Sequence, residues 1–573
     1  MTFAYRCTGM KKSILHSQSC YKSTNLAQFT VMRTSPEHRI NELTASGHWG
    51  SETLHSLLAK NAGDKPSALA VKDQPNRAVL TDDEPLSLTW AELEAASTNL
   101  AAQFGALGLV EDEAVIVQLP NVAELMVVYY AASMSGLIVS PVPVQYGSHE
   151  LQMLADALQA KTVITMPRLS NVELAHGARQ ALPRLCVLEF GSDLVIDTSE
   201  PGICATLPAD DANRILSICW TSGTTGTPKG VPRSHNMWMA SGRCSAQAGS
   251  MTGEDILLNP FPLVNMAALG GFLFPAALVG AAIVLHHPLD PPLFLQQLQD
   301  ESATFTIAPP ALLNQLAKTP QMWRQFDFSA LRRIGSGSAP LAPSMIETFD
   351  RDYQKAIVNF YGSNEGISLF STPETAPGPD VRASMFRKPE SGALVATKVA
   401  DPTSGKLLDE VGESGELLIS GATVFDGYYA SDNQDVFAKD GYFRSGDLVE
   451  ICGDSGNYYR IVGRCKDIIN RGGMKVSPAE LDVALEHHPA VVEAAVCAYP
   501  DERLGEKICA VLVLQADAVV PKLEELQQFL LSQGFAKFKL PERIELIKQL
   551  PRNPLGKVQR FALQDALTEN QES

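Results

Sequence analysis

From about Ser67 onward, short apolar runs alternate with longer segments in which apolar residues recur every three or four positions. ALAVKD, AVIVQLP, LIVSPVPV and TVITM read as strands. TWAELEAASTNLAAQFGALG, the apolar stretch from Val122 to Gly136 and the segment near Glu150 to Ala160 read as helices, the first two closed by glycine. The pattern continues through ILSICW, SATFTIAPPALLNQLAK, RRIGSGSAPLAPSMIETF and AIVNFYGSNEG, each a strand followed by a turn or loop, two of them leading into a helix begun at proline. Such alternation predicts an α/β fold: open sheets with helices packed on them, and ligands bound where loops leave the strand ends.

After about Gly412 the rhythm shortens to GELLIS, YFRSGDLVEI and YYRIVGR, which predicts a compact β subdomain. Ser477-Pro478-Ala479-Glu480 reads as a capping box with proline in the first helical position. Beyond it come the strands VVEAAVCAYP and KICAVLVLQ and the helix KLEELQQFLLSQG. The expected organisation is a large N-terminal domain over residues 46–465 and a small mobile α+β domain over 466–573. Met266 to Leu285 carries no charge over 20 residues, enough to span a bilayer. Gly270, Gly271, Pro275 and Gly280 interrupt it, so it predicts a buried helix, a turn and a buried strand, and no transmembrane segment.

Composition narrows the partners. A net charge of −18 over 573 residues excludes a nucleic-acid backbone as a ligand, because that needs a basic face. The ten cysteines form no C-x-x-C pair, which points to a reduced, cytoplasmic chain. The first 36 residues lack Asp and Glu but carry Arg6, Lys11, Lys12, Lys22 and Arg33. Two readings stand: a mitochondrial transit peptide, or a disordered extension within residues 1–45 upstream of a start at Met32 rather than Met1.

The chemistry gathers first at TSGTTGTPKG, directly after the strand ILSICW. Thr221, Ser222, Gly223, Thr224, Thr225 and Gly226 offer hydroxyls and close backbone N–H groups to phosphate oxygens, and Lys229 a point charge. The stretch does not fit the Walker pattern, since Gly230 follows the lysine. Glu365, in a loop at a strand end, has a carboxylate suited to Mg²⁺, which takes one or two carboxylates plus phosphate oxygens; a solvated loop glutamate is the alternative. Tyr361 offers a flat face to a purine or to the core. Asp447, after a Ser-Gly pair, is placed to accept ribose hydroxyls or to cap its own turn. Arg464 suits the same sugar or a phosphate, and Lys557, held between prolines and a glycine, suits charge building on a transferring phosphate.

Six segments, TSGTTGTPKG, YGSNEG, GELLISG, YFRSGDL, GRCKDIINRGG and PRNPLGK, stand in the order and rough spacing of the AMP-forming adenylate ligases. The chain resembles that superfamily, which includes acyl-CoA synthetases, aryl-acid ligases and adenylation domains, from near Ser51 to near Arg560. The resemblance implies that Thr221 to Lys229 contact ATP phosphates and that Gly337, Ser338, Ala339, Tyr361 and Gly362 line the nucleotide site with Asn364. It implies Mg²⁺ on Glu365, ribose on Asp447 and Arg464, adenylation driven by Lys557, a hinge at Lys466, and a thiol tunnel lined by Gly472 and Gly473.

Two positions depart from the common pattern. Asn364 stands where threonine is usual and keeps an amide donor for phosphate. Asn265 stands at or beside a histidine that gates the acyl pocket in many members, and an amide there suits a polar acyl group or an aryl hydroxyl. With Asn265, Met266, Ser336 and Ile367 as pocket candidates, the acid is expected to be aliphatic, fatty or aryl rather than an amino acid, since FPLVNMAALGG has no carboxylate for an ammonium. The implied reaction is attack of a carboxylate on Mg·ATP to give acyl-adenylate and pyrophosphate, then transfer to coenzyme A. The alternatives are an aryl-acid or fatty-acyl ligase loading an acyl carrier protein, a non-catalytic nucleotide-binding homologue, and a P-loop kinase, which the missing Walker pattern disfavours.

Overall fold

A computed structural model describes residues 33–200, 210–221, 228–472, 474–501, 503–516, 518–552 and 558–569. The internal contacts divide the chain into two units: residues 1–383 with 391–395 and 420–436, and residues 384–390, 396–419 and 437–573.

The first unit is built on two largely parallel sheets. One has eight strands, in the order Ser368–Ser371, Ala356–Gly362, Arg333–Gly337, Phe305–Ile307, Ile256–Asn259, Ala282–Leu285, Leu69–Lys72 and Ser87–Thr89, with only the two edge pairs antiparallel. The other has six, in the order Cys186–Glu189, Thr162–Thr165, Ala114–Gln118, Ile138–Pro141, Ile215–Thr221 and Lys229–Ser234, closed by an antiparallel hairpin. Successive side chains of a strand point to opposite faces, and both sheets use the two faces for different cores. Leu257 and Ile283 join one hydrophobic cluster while their neighbours Leu258 and Val284 join another. In the six-stranded sheet Val115 and Val117 face that first cluster and Ile116 faces a third. The first cluster is thus shared by the two sheets and the helices between them, giving five layers, α/β/α/β/α.

The helix Ala123–Ser135 lies in the middle layer and is apolar almost all round, with residues 123–134 buried. A helix without a polar face has no surface position, so its sequence commits it to the interior. Its start is anchored by charge: the N–H of Ala123 donates to Asp73 Oδ1 at 2.8 Å, and Arg77 bridges Asp73 and Glu124. All three are buried. Burial pushes the Asp73 and Glu124 carboxyls above their usual range, against the pull of Arg77.

Met266 to Leu285 forms the expected helix, turn and strand, as Met266–Ala268, a π-helical turn Leu269–Leu273, Phe274–Val279 and Ala282–Leu285, with Gly280 at φ +78°. Among the described residues no helix is long and apolar enough to cross a membrane. The extension expected over residues 1–45 does not reach so far. Glu37–Ala45 is a helix whose Arg39 pairs with Asp426, donates to the carbonyls of Gly421 and Val424, and stacks over Trp49 at 5.3 Å. Residues 1–32, Met32 among them, lie outside the described residues.

The second unit holds a six-stranded, largely antiparallel sheet in the order Met385–Arg387, Tyr458–Arg464, Phe443–Cys452, Ser414–Gly421, Val395–Ala400 and Leu407–Leu408. A second sheet combines Met474–Val476, Ile469–Arg471, Gly505–Leu514 and Val491–Asp501, with Arg543–Leu546 also on Gly505–Leu514. The helix Pro478–Glu486 starts where expected, but the capping box does not form. Ser477 donates instead to the Val462 carbonyl, and Glu480 pairs with Lys539 at 2.8 Å.

Replacing Arg77 by methionine keeps the volume and strands two buried carboxylates, a change that costs about 3–5 kcal/mol at neutral pH. A carboxyl whose folded-state pKa is raised stabilises the fold below its unfolded value and loses that contribution as pH rises. Urea midpoints of Arg77→Met and wild type are therefore expected to lie far apart at pH 8 and to converge towards pH 5.

Candidate active site

Two strand ends meet at the site in the first unit. Ile215–Thr221 leaves the six-stranded sheet and returns as Lys229–Ser234, and Thr221 pairs with Lys229 across the hairpin stem. The sequence pattern suggested a loop running on past Lys229, whereas Lys229 opens a strand. Pro232 and Arg233 are poor strand residues, and the sheet edge accommodates the proline because among the described residues no strand lies beyond it to need its missing N–H. Ser222, Gly223, Thr224, Thr225 and Gly226 lie outside the described residues, as do Gly473 and Lys557.

The second strand end is Ala356–Gly362, which turns through Ser363 to Ile367 into Ser368–Ser371. Its neighbour Arg333–Gly337 ends beside it, Gly337 opposite Phe360. A Cβ on Gly337 would collide with the Phe360 carbonyl, so only glycine lets these two strands close. Ser338, at φ +66°, and Ala339 are exposed, and Tyr361 is half-buried one residue beyond Phe360. Gly362 is exposed at the mouth of the turn.

Glu365 joins the two ends. Its Oε1 accepts from the Tyr428 hydroxyl at 3.0 Å, and its carbonyl accepts from the Phe425 N–H at 2.9 Å. The Lys229 ammonium lies 4.7 Å from the centre of the Tyr428 ring, a cation–π contact. Lys229, Tyr428 and Glu365 thus form one chain from the hairpin stem to the carboxylate. Gly366, at φ +114°, lies so close to the Thr423 carbonyl that a Cβ would overlap it, and the Thr423 hydroxyl donates to the Gly366 carbonyl at 2.7 Å.

Asn364 is buried with its amide already engaged. Its Oδ1 accepts from the Met266 N–H at 2.8 Å and its Nδ2 faces the Trp220 carbonyl at 3.4 Å, tying the turn to the short helix Met266–Ala268 and to the end of the strand Ile215–Thr221. Asn265 caps its own short helix, Oδ1 accepting from the Ala267 N–H at 3.0 Å. Met266 is half-buried. Ser336 and Ile367 are buried, and the Ser336 hydroxyl donates to the Ala308 carbonyl at 2.8 Å.

In the second unit, Asp447 and Arg464 are cross-strand partners joined by a bond of 2.9 Å from Arg464 Nε to Asp447 Oδ1. Asp447 does not sit in a turn after its strand. The strand runs on to Cys452, with an irregular register around Gly446, which sits at φ +72°. Glu416, buried, accepts from the Gly446 N–H at 3.1 Å and from Arg444 at 2.7 Å, and so fixes that bulge. Lys466 is exposed in the turn that follows Arg464, and Gly472, at φ +57°, donates to the Leu504 carbonyl at 2.8 Å.

Among the described residues no three His, Cys, Asp or Glu side chains gather into a metal site. Glu365 offers a single carboxylate with one oxygen bonded to Tyr428. That fits Mg²⁺, which takes few protein ligands when it is held by the phosphates of a nucleotide.

Sequence patterning missed Tyr428, Arg233 and Glu416. Arg233 had no local signal in the polar run KGVPRS, whereas Tyr428 stood in the aromatic pair of DGYY.

The comparisons with known proteins identify the class to which this chain belongs. The model of the AMP-binding enzyme family matches residues 68–429, and that of its C-terminal domain matches residues 480–557. The chain belongs to the AMP-binding enzyme family. It is an AMP-forming ligase that activates a carboxylic acid with ATP.

Triostin synthetase I of Streptomyces triostinicus is 30% identical over 92% of this chain and 97% of its own length. The medium-chain fatty-acid–CoA ligase of Escherichia coli is 29% identical over 93% and 94%. The salicyl-AMP ligase / salicyl-S-ArCP synthetase of Mycobacterium tuberculosis is 28% identical over 92% and 93%. Among solved structures, ATP-bound MatB from Rhodopseudomonas palustris superposes with a TM-score of 0.76 at 25% identity, covering 90% of this chain and 99% of that one. Apo MbtA of Mycobacterium smegmatis gives a TM-score of 0.66 at 28% identity, covering 94% and 99%.

Tyr428→Phe keeps the ring under Lys229 and removes one hydrogen bond to Glu365. A bond to a charged group is worth about 1.5–3 kcal/mol. The variant is expected to melt within a few degrees of wild type and to lose about tenfold or more in acid-dependent pyrophosphate exchange.

Proposed function

We propose that the protein converts a compact aliphatic or aryl carboxylic acid into its acyl-adenylate and then into a thioester of coenzyme A. The observation that supports the reading is the chain from Lys229 through Tyr428 to Glu365, a cation and a carboxylate joined through one tyrosine at the meeting of two strand ends.

In this reading Thr221 to Gly226 and Lys229 wrap the triphosphate. Gly337, Ser338, Ala339 and Tyr361 take the adenine, with Gly362 and Asn364 in the turn beside it. Glu365 holds Mg²⁺, which neutralises phosphate charge when bound. Asp447, oriented by Arg464, accepts the ribose hydroxyls; an acceptor carboxylate fixed by an arginine suits two adjacent O–H donors. Lys557 adds charge as the acid's oxygen attacks the α-phosphorus and pyrophosphate leaves, so the protein works mainly by positioning and electrostatic stabilisation. The acid lies near Asn265, Met266, Ser336 and Ile367. Lys466 serves as the hinge of a domain beginning there, and Gly472 and Gly473 border the path of the thiol.

A second reading, loading of an aryl acid onto a carrier protein, draws support from the salicyl-AMP ligase / salicyl-S-ArCP synthetase at 28% identity. The Asn265 amide nitrogen also favours it: it makes no hydrogen bond among the described residues, which leaves a donor for an aryl hydroxyl.

Lys557→Ala is expected to leave the melting temperature unchanged and to lower pyrophosphate exchange by at least a hundredfold; unchanged exchange would remove the role given to it. A panel of straight-chain, benzoic and hydroxybenzoic acids, assayed for AMP release with and without coenzyme A, tests the acceptor. Coenzyme A is expected to raise steady AMP release several-fold. A stoichiometric burst unaffected by coenzyme A would assign the enzyme to carrier loading.

A further inference from the structure

Arg233 carries a charge that the chemistry above leaves unused. It sits in the strand Lys229–Ser234, four residues past Lys229, and is wholly buried. Its Nη1 donates to the Asn364 carbonyl, and its Nη2 to the Thr423 carbonyl, the Met237 carbonyl and the Ser241 hydroxyl, each at 2.8 Å. Among the described residues its Nε has no partner, and the Trp238 ring lies 4.4 Å from its Cζ. Among the described residues no carboxylate forms an ion pair with it, although burying a cation without a counter-ion is costly. Burial pushes the guanidinium down to about 9, so it remains protonated at neutral pH. The Glu365 carboxylate favours the charged form of the guanidinium, against that burial.

The two carbonyls it holds frame Glu365. Asn364 immediately precedes that residue. Thr423 is pressed against Gly366, which follows it, and two residues on, Phe425 donates to the Glu365 carbonyl. One planar fork therefore fixes both walls of the turn that presents the carboxylate. A neutral side chain of the same size would fill the space without the cost of the charge.

We propose that Arg233 is the positioning residue for Glu365: its fork, closed on the Asn364 and Thr423 carbonyls, sets the direction in which the carboxylate meets the metal that arrives with ATP. The inference rests on the reading in which Glu365 meets that metal. Lysine keeps the charge and loses the fork, because its donors radiate from a single point.

The test is calorimetric binding of an ATP analogue with a methylene bridge between the α and β phosphates, measured in Mg²⁺ and in EDTA, for wild type, Arg233→Lys and Glu365→Gln, with melting temperatures alongside. Arg233→Lys is expected to lose about tenfold in affinity in Mg²⁺ and less than twofold in EDTA, as Glu365→Gln does. Equal losses in both buffers, or none, would reduce Arg233 to a packing residue and overturn the inference while leaving the proposed function in place, provided Glu365→Gln shows its Mg²⁺-specific loss. A Glu365→Gln variant that binds like wild type in Mg²⁺ would overturn the role of Glu365 and this inference together. Should Arg233→Lys fail to fold, Ser241→Ala removes one Nη2 acceptor from the same fork; a Mg²⁺-specific loss of about threefold supports the inference and no loss overturns it.

Discussion

The nucleotide end of the first unit depends on a close backbone approach, Gly366 against the Thr423 carbonyl. At that separation no side chain fits at 366, and neither segment can shift without the other. Everything nearby is arranged to hold the contact: the Thr423 hydroxyl on the Gly366 carbonyl, Phe425 on the Glu365 carbonyl, and the Arg233 fork across Asn364 and Thr423. Arg39 braces the same segment from its other side through Gly421, Val424 and Asp426. A carboxylate on a loop is ordinarily mobile. Here the loop is clamped between two others, so its carboxylate has a direction before any ligand arrives, which is the preorganisation that electrostatic catalysis requires.

That clamp is possible because two sheets end at the same place. The six-stranded sheet contributes the hairpin with Lys229 and Arg233, and the eight-stranded sheet the turn with Asn364 and Glu365. Their relative placement is fixed by the shared layer of helices, with Ala123–Ser135 buried on all sides and pinned at its start by Asp73, Arg77 and Glu124. Close packing transmits position with little slack. The residues that set the distance between Lys229 and Glu365 are therefore far more numerous than those that touch a substrate.

Much of this was legible in the sequence, for a physical reason. Alternating and helical periodicities are local consequences of burial, so many strands and helices of both units could be placed from them, as could the helix, turn and strand of Met266 to Leu285; His235–Gly249 and Pro291–Asp300 were not. Glu365 and Lys229 stood out because glycines and hydroxyls crowd around them. What escaped depends on partners far along the chain. The strand opened by Lys229 is poor in strand formers and survives on pairing with Ile215–Thr221. The Ser477 hydroxyl chose the Val462 carbonyl over its own helix, and no local rule anticipates that choice. Asp447 lies on a bulge held by Glu416, some 30 residues earlier. Tyr428 and Arg233 meet the Glu365 turn across 63 and 131 residues, separations at which periodicity carries no information.

The Arg233 fork grips carbonyl oxygens, and every amino acid has one. The fork itself therefore recognises no side chain at 364 or 423, whose amide and hydroxyl brace the turn by separate contacts of their own. The turn is thus held largely by main-chain contacts, a separation between what fixes Glu365 and the nearby side chains of Asn265, Met266 and Ile367. A family whose members accept fatty, salicylic and dihydroxybenzoic acids on one scaffold is the outcome such a separation would produce.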